Sequence, residues 1–505
     1  MKINLGRILA NRAFLSPDME AYVGEGYRYT YKDANARANR FASFLVSRGI
    51  TTGDRIAVLC KNNEHAICAL YGASKTGVIT ALLNWRLTAP ELEYILNDCG
   101  ARMVIYDIEF APLVDKLKGN IPALIFIRKG GEGEDQEFEE ILSMGREIEP
   151  EYHGGGDAPC VLMYTSGTTG KPKGAVITHE NTFWASLGLT HTLQWGHKDR
   201  YLLTAPLFHI GGLAPVLANV HVGVTTFCLP DFHPAKVYEI ISKERINFLM
   251  TVPLMLQAMT MVPKEFTDKL DLSSLRYFVC GASPVPPALI HLYDQKGFKI
   301  AQVYGATEYT GAITFWTHDM GMEKCVSAGK PVFHGNVKVF TPGTDEELPP
   351  YEVGELCLFG PQVFSGYWNN TDATASALKN GCYRSGDLGK IDEDGFVYVI
   401  DRLKDMIISG GENIYPAEIE NALNTHPSVA ESAVAGKPDD KWGEIPVAFV
   451  VPKPGANISE ADIINQCREK LAGFKCVKEV RFVEAIPKNS TGKMLKNTLR
   501  GMLLK

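Results

Sequence analysis

Between residues 33 and 110 the hydrophobic positions alternate between two periods, which predicts layered strands and helices. Ala34, Ala38, Phe41 and Leu45 recur at helical spacing, and Gly49 closes the run where a left-handed residue ends a helix. The unbroken run Ile56-Ala57-Val58-Leu59-Cys60 predicts a buried strand, and the small-residue stretch Ala66–Lys75 predicts a packed helix. Apolar runs at Met103–Tyr106 and Ala123–Ile127 predict two further strands. Such alternation implies a layered α/β domain with a largely parallel sheet. Gly130–Glu140, acidic and glycine-rich, reads as an exposed connection. The α/β pattern resumes beyond residue 174 and runs to about residue 330.

Two later stretches change character. Short glycine-punctuated strands, Val337–Phe340 and Gly354–Leu358 among them, predict a β-rich subdomain over about 331–400. The charged run Asp401-Arg402-Leu403-Lys404-Asp405 then opens a small α+β unit. There Ile419–Leu423 reads as helical, Val429–Ala435 and Pro446–Val451 as extended, and Ser459–Ala472 as helical behind a serine cap. The expected fold class is α/β. A large N-terminal part over 1–400 contains the β-rich subdomain, a hinge follows at 401–404, and 405–505 forms a mobile C-terminal domain.

Bulk properties narrow the partners. At 505 residues the chain exceeds one compact core. A net charge of −7 argues against a general nucleic-acid binder. The tail Pro487–Lys505 runs the other way, with Lys488, Lys493, Lys496, Arg500 and Lys505 and no acid. It reads as a solvated helix face or as a partner for a phosphate-bearing ligand. Eleven cysteines without a C-x-x-C pair point to reduced, cytoplasmic usage, not to disulfides or zinc. Arg7 and Arg12 interrupt the N-terminus, which excludes a signal peptide. Tyr201–Pro230 holds no Asp, Glu, Lys or Arg, but its prolines, glycines and histidines suit buried strands and a ligand pocket better than a membrane span. The expectation is a soluble protein without a transmembrane segment; peripheral membrane contact and a homodimer stay open.

The densest chemistry lies in Tyr164-Thr165-Ser166-Gly167-Thr168-Thr169-Gly170-Lys171-Pro172-Lys173-Gly174. Glycines let backbone N–H groups converge, hydroxyls donate, and two lysines supply charge, as a polyphosphate requires. Pro172 follows Lys171, so this is not a Walker loop, which needs Ser or Thr there. Four further signals stand downstream. Tyr304-Gly305-Ala306-Thr307-Glu308 offers a ring for a purine and a hard oxygen for magnesium. Asp387, in Arg384-Ser385-Gly386-Asp387, reads as a carboxylate in a tight turn that accepts ribose hydroxyls. Arg402 stands near a strand end within reach of ribose or phosphate oxygens. Lys493 follows a glycine turn near the C-terminus. Taken singly, each has a plain structural reading as turn, core or solvated residue.

Together, in this order, the five segments resemble the acyl-adenylate-forming superfamily of acyl-CoA synthetases, luciferases and peptide-synthetase adenylation domains. The resemblance covers essentially the whole chain. It is carried by the phosphate loop and by Asp401–Glu420, with its Gly410-Gly411-Glu412-Asn413. Val252–Met259 resembles bacterial fatty-acid–CoA ligases. The resemblance implies ATP, Mg2+ and coenzyme A as cofactor and co-substrates. It implies that Thr165, Ser166, Gly167, Thr168, Thr169, Gly170, Lys171 and Lys173 close over the β- and γ-phosphates. Gly281, Ala282, Ser283, Gln302, Val303, Tyr304, Gly305, Ala306 and Thr307 would line the adenine and acyl-phosphate. Glu308, with Thr165, would hold magnesium; Asp387 and Arg402 would take the ribose. Lys493 would bridge carboxylate and α-phosphate, acting with Glu308 and Thr307, and Lys404 would be the hinge. Ser409, Gly410, Gly411, Trp442 and Phe474 would face coenzyme A. His209, Gly211, Gly212, Ser283, Tyr309, Thr310 and Gly311 would form the acyl pocket. Two positions depart from the pattern: Cys382, where many relatives have tryptophan, and Cys476, where a proline commonly follows the lysine.

The implied activity is an AMP-forming acyl-CoA ligase on an apolar monocarboxylic acid, with medium or long fatty acids ahead of aryl or alicyclic ones. Two other readings are an enzyme that loads a carrier protein and a nucleotide-binding regulator without catalysis.

Overall fold

The computed structural model describes residues 2–121, 124–165, 171–410, 412–488 and 494–503. Its contacts divide into two compact units, residues 1–337 with 358–383, and residues 338–357 with 384–505.

The first unit holds two large sheets, and both are parallel at the centre and antiparallel at an edge. In the seven-stranded sheet the spatial order is Gln136–Glu137, Ile125–Lys129, Ala101–Asp107, Arg55–Leu59, Ile79–Leu82, Pro159–Thr165 and Lys173–Thr178. Every pairing is parallel except the last, where Thr165 faces Lys173 across a hairpin. In the nine-stranded sheet, Phe248–Thr251, Tyr277–Cys280 and Ile300–Ala306 run parallel, and Gly311–Trp316 then turns back antiparallel. The central strands are covered on both faces, which is why they read as unbroken apolar runs: all four residues of Ile79–Leu82 are buried.

The expected helices and strands of this unit are present, with two differences; of the strand expected over Ala123–Ile127, Ala123 lies outside the described residues. The helix Tyr31–Ser47 is capped at Arg48 and closed by Gly49 at φ +67°, as the sequence leads one to expect. The charge-free stretch Tyr201–Pro230 contains a helix, Ile210–Val222, between two strands. That helix is apolar nearly all round, and a buried helix of that kind cannot be told from buried strand by periodicity alone. Gly130–Glu140, expected as a plain connection, includes the edge strand Gln136–Glu137 and the start of the helix Phe138–Met144, capped by Glu137.

The second unit is built on an α+β sheet ordered Glu412–Ile414, Ile407–Ser409, Gly443–Pro452 and Val429–Asp439, with Glu479–Phe482 beside Gly443–Pro452. Strand alternation sorts its two faces. Val434, Ala448 and Val450 pack with Ile419 and Leu423 of the helix Pro416–Asn424 and with Ile463 and Cys467 of the helix Glu460–Lys470. Ala433, Ala435, Val447 and Phe449 pack with Leu499 and Leu503 of the helix Lys496–Leu503. Ser459 caps its helix through a reciprocal pair with Asp462, as its sequence position predicts. In the same unit Asp387 lies within the strand Cys382–Ile391, in place of the expected tight turn, because that strand pairs with Val397–Arg402. Among the described residues, no helix is long and apolar enough to cross a membrane.

Candidate active site

The phosphate-loop candidate is the hairpin at the antiparallel edge of the seven-stranded sheet. Thr165 ends one strand and Lys173 begins the next; Ser166, Gly167, Thr168, Thr169 and Gly170 lie outside the described residues. Lys171 Nζ lies 5.5 Å from the Tyr94 ring centroid, and Lys173 Nζ 5.3 Å from that of Tyr367. Among the described residues neither lysine forms an ion pair. An aromatic face steadies an ammonium without supplying a counter-anion, so both charges remain available to phosphate.

The second candidate stretch sits at the matching place in the other sheet. Gln302–Ala306 ends a parallel strand, Thr307–Tyr309 makes a 3-10 turn, and the chain returns antiparallel from Gly311. Ligands of open α/β sheets bind outside the carboxyl ends of parallel strands, and this turn occupies such a position. The neighbouring strand Tyr277–Cys280 leads into Gly281, Ala282 and Ser283, with Cys280 in register with Gln302. A Cβ on Gly281 would lie 2.4 Å from Val303 Cγ1 and equally close to its carbonyl oxygen, and one on Gly305 would lie 2.6 Å from the Gly311 carbonyl. Both glycines therefore permit backbone to approach backbone. Ala282 adopts φ +67°, uncommon for a residue with a side chain. The Gln302 amide is spent on the Ser327 carbonyl.

What joins these two stretches is a segment not singled out from sequence, Phe364–Trp368. Its backbone zips along the hairpin, with Ser365 N donating to Val176 O at 3.1 Å, Val176 N to Gly366 O at 2.9 Å and Trp368 N to Gly174 O at 2.7 Å. At its start Phe364 N donates to Glu308 O at 3.0 Å. The Tyr367 hydroxyl donates to Glu308 Oε1 at 2.8 Å while its ring faces Lys173. The signal was present in Ser365-Gly366-Tyr367-Trp368: Gly366 takes φ +127°, which glycine alone adopts freely. Glu308 and Thr165 carry the hard oxygen donors that magnesium prefers, and Tyr367 orients the carboxylate without enclosing it; these residues fit the ion.

The acyl-pocket candidates gather around the helix Ile210–Val222. His209 is its N-cap residue, and Gly212 is obligatory, since a Cβ there would lie 2.2 Å from the Pro206 carbonyl. Gly211 faces Met250, and Gly311, at φ +129°, faces Ala214 of the same helix. Thr310 donates its hydroxyl to Gln362 O at 2.8 Å, and the buried Tyr309 donates to Phe359 O at 2.7 Å. These two side chains are thus committed to the frame. His209 Nε2 is buried without a partner. Burial, then the charge of Arg86, holds the His209 pKa down at about 4. Arg86 was also missed; its guanidinium lies 4.6 Å from the Trp85 ring and 5.8 Å from that of Phe208.

The remaining candidates belong to the second unit. Asp387 and Arg402 face each other across paired strands, and Arg402 Nε stands 2.6 Å from Asp387 Oδ1. Lys404 is half-buried, and its amine is held below the ordinary lysine range by burial together with the Arg402 and Arg500 charges. Ser409, Gly410 and Trp442 come together: Gly410 N donates to Trp442 O at 2.8 Å, and a Cβ on Gly410 would meet the indole at 2.8 Å. Gly411 lies outside the described residues, as does Lys493. Phe474 is exposed, with the ammonium of Lys475 over its ring, and Lys475 pairs with Glu418 at 2.7 Å. Of the basic tail, Lys488, Lys496 and Arg500 pair with Glu431, Glu420 and Asp405. Lys496 and Arg500 are drawn out of solvent by these pairs, while Lys488 stays exposed.

Elsewhere, ligating atoms of Cys60, His65 and Asp107 lie within 4.8 Å of one another. Asp107, however, accepts the Lys61 N–H at 2.8 Å and holds His65 Nε2 at 2.6 Å, and burial keeps the Cys60 thiol protonated. The cluster pins the helix Glu64–Thr76 to the end of the strand Ala101–Asp107.

A family model described as AMP-binding enzyme matches residues 9–368, and one described as AMP-binding enzyme C-terminal domain matches residues 418–493. The chain belongs to the AMP-binding enzyme family and is an acid–thiol ligase of the AMP-forming kind, an acyl-CoA synthetase. It is 41% identical over 501 residues to the long-chain-fatty-acid–CoA ligase FadD13 of Mycobacterium tuberculosis, with 98% of each chain covered. It is 38% identical over 497 residues to a feruloyl-CoA synthase of Amycolatopsis sp., again with 98% of each covered. Among solved structures it resembles O-succinylbenzoate coenzyme A synthetase of Bacillus subtilis in complex with ATP and magnesium ion. That match has 33% identity and a TM-score of 0.87, covering 97% of this chain and 98% of the other.

Two outcomes follow from this geometry. Gly281→Ala forces a methyl against Val303 and should cost about 1–3 kcal/mol of stability, read as a lower urea midpoint, with weakened ATP binding by calorimetry. Wild-type values for both would contradict the close approach. For His209, the unfolded chain takes up a proton below pH 6.5 that the folded chain refuses until about 4, so stability falls as pH falls through that window. His209→Asn should flatten this part of the acid-denaturation curve relative to the parent; an unchanged slope would show that the ring titrates freely.

Proposed function

We propose that this ligase activates an apolar monocarboxylic acid, a medium- or long-chain fatty acid ahead of others, with ATP, and passes the acyl group to coenzyme A. The observation that carries the reading is the join made by Tyr367, which brings the lysine-bearing hairpin and the Glu308 turn to one place. In the first step a carboxylate oxygen attacks the α-phosphorus and pyrophosphate leaves. No general base is needed, since the acid is ionised at neutral pH. The requirement is to hold two anions together, and Lys171, Lys173 and Lys493 supply positive charge for it. Thr165–Gly170 wrap the phosphates; Gly281–Ser283 and Gln302–Thr307 line the adenylate; Asp387 and Arg402 take the ribose. Magnesium held by Glu308 and Thr165 would neutralise charge on the phosphates. In the second step the coenzyme A sulfur attacks the acyl carbon and AMP leaves. Ser409, Gly410, Gly411, Trp442 and Phe474 face that ligand, and Lys404 is the pivot between the two steps.

On the acyl side a neutral His209 and the small residues Gly211, Ala214 and Gly311 support an apolar occupant. The FadD13 relative is named for long-chain fatty acids, and the feruloyl-CoA synthase for an aromatic acid.

A panel from acetate to palmitate, with benzoate, cyclohexanecarboxylate and succinate, scored by CoA-dependent AMP release, tests the substrate. Greatest kcat/KM is expected at medium to long chain length; preference for succinate would overturn it and point to Arg86. Lys493→Ala should lower acyl-AMP formation about a hundred- to thousandfold, while transfer from supplied acyl-AMP to coenzyme A survives. Equal loss in both half-reactions would remove Lys493 from the first step.

A further inference from the structure

The helix Lys496–Leu503 has two committed faces. Leu499 and Leu503 are buried against the sheet beside Ala433, Ala435, Val447 and Phe449. Lys496 and Arg500, four residues apart and so on one side of the helix, grip the segment around Lys404. Arg500 Nη2 donates to the Lys404 carbonyl at 2.9 Å, and Nη1 stands 3.1 Å from Asp405 Oδ1. Lys496 Nζ stands 2.9 Å from Glu420 Oε1 and 4.0 Å from Asp401 Oδ1. Asp401 in turn accepts the Ala417 N–H at 2.8 Å, at the start of the helix Pro416–Asn424.

Immediately before this helix, Leu495 N donates to Pro487 O at 2.8 Å and Lys488 pairs with Met494 as a β-bridge. Those contacts tie residues 487 and 488 to 494 and 495. These paired residues, the helix and the Lys404 segment therefore form one connected piece. Arg500 is suited to the link because its planar fork serves a carbonyl and a carboxylate at once, which a lysine ammonium on a flexible stem does poorly.

We propose that Arg500 is a positioning residue that fixes the helix Lys496–Leu503, which follows Lys493 in the chain, to the downstream end of the Lys404 pivot, so that turning about Lys404 carries the lysine along with that helix. This inference rests on the roles given above to Lys493 and Lys404. It differs from plain stabilisation, in which loss of the ion pair lowers both half-reactions together through the amount of folded protein.

The test uses the full chain and scores the half-reactions separately, by pyrophosphate exchange and by single-turnover transfer from supplied acyl-AMP to coenzyme A. Arg500→Ala should slow adenylation about tenfold to a hundredfold, the scale of a misplaced catalytic group, with transfer within about threefold of the parent. Arg500→Lys should recover part of the loss. Because Arg500 acts through Lys493, the double variant with Lys493→Ala should be no slower in adenylation than Lys493→Ala alone. Equal loss in both half-reactions, or additive losses in the double variant, overturns the proposal. If Arg500→Ala does not accumulate as folded protein, Asp405→Asn removes the partner charge and carries the same expectations. Adenylation lost in Lys493→Ala but kept in Arg500→Ala overturns this inference alone. Adenylation kept in Lys493→Ala overturns the reading beneath it, and this inference with it.

Discussion

Two parallel sheets each present an antiparallel return at the carboxyl end of a strand, and the Tyr367 side chain holds the two returns together. Its hydroxyl fixes Glu308 and its ring faces Lys173, so one residue touches the carboxylate and a cation without letting them neutralise each other. A direct Lys173–Glu308 ion pair would leave less charge for a polyphosphate. Interposing a ring keeps the lysine potential available, because a π-face attracts an ammonium without carrying formal charge. The backbone zipper from Phe364 to Trp368 makes that placement rigid, since the hydrogen bonds run along the hairpin strand itself. Site chemistry here depends on sheet geometry more than on any one reactive side chain.

The acyl side follows the opposite electrostatic logic. Burial keeps His209 neutral, and the residues nearest the start of its helix are small, with Gly211 against Met250 and Gly311 against Ala214. An ionised tail would lose its hydration there. On the proposed reading, the carboxylate end of an acid would meet the cationic hairpin while its remainder would meet neutral surface. Among the described residues Arg86 is the charge that acts on His209, and aromatic rings of Trp85 and Phe208 flank it. On the proposed reading, substrate preference at this end would turn on shape and on the charge of Arg86.

How much of this was legible in the sequence varied with the kind of signal. Motifs with a single-segment cause were readable: the strand-to-turn run ending in Glu308 and the Ser459 cap with Asp462 three residues on. Val429–Ala435 and Pro446–Val451 were readable as extended runs, and their strand geometry sends Val434 to one face of the sheet and Ala433 and Ala435 to the other. Features that need a partner far along the chain were not readable. Tyr367 looks like core until Glu308, 59 residues away, is placed beside it. Asp387 looks like a turn former until Arg402 is in register across the strand. The helix Ile210–Val222 was hidden because a segment buried on all sides carries no polar face to reveal its period.

The basic tail shows the same limit from the side of charge. A run of lysines and arginines without acids looks solvated or ligand-seeking when only its own segment is counted. Here its acids come from three other places, Glu431 on a strand, Glu420 on a helix and Asp405 beside Lys404. Lys496 and Glu420 are both largely withdrawn from water, with side-chain exposures of 10% and 11%, and a charge at that depth requires a partner that is fixed. Pairing of this kind contributes modestly to net stability, because desolvation offsets much of the attraction. What it does specify is geometry: replacing either member leaves the other buried and unpaired, so the helix has one seating on the unit. If Lys493 is to reach one phosphorus, as proposed, a single seating of the following helix serves the chain better than additional stability.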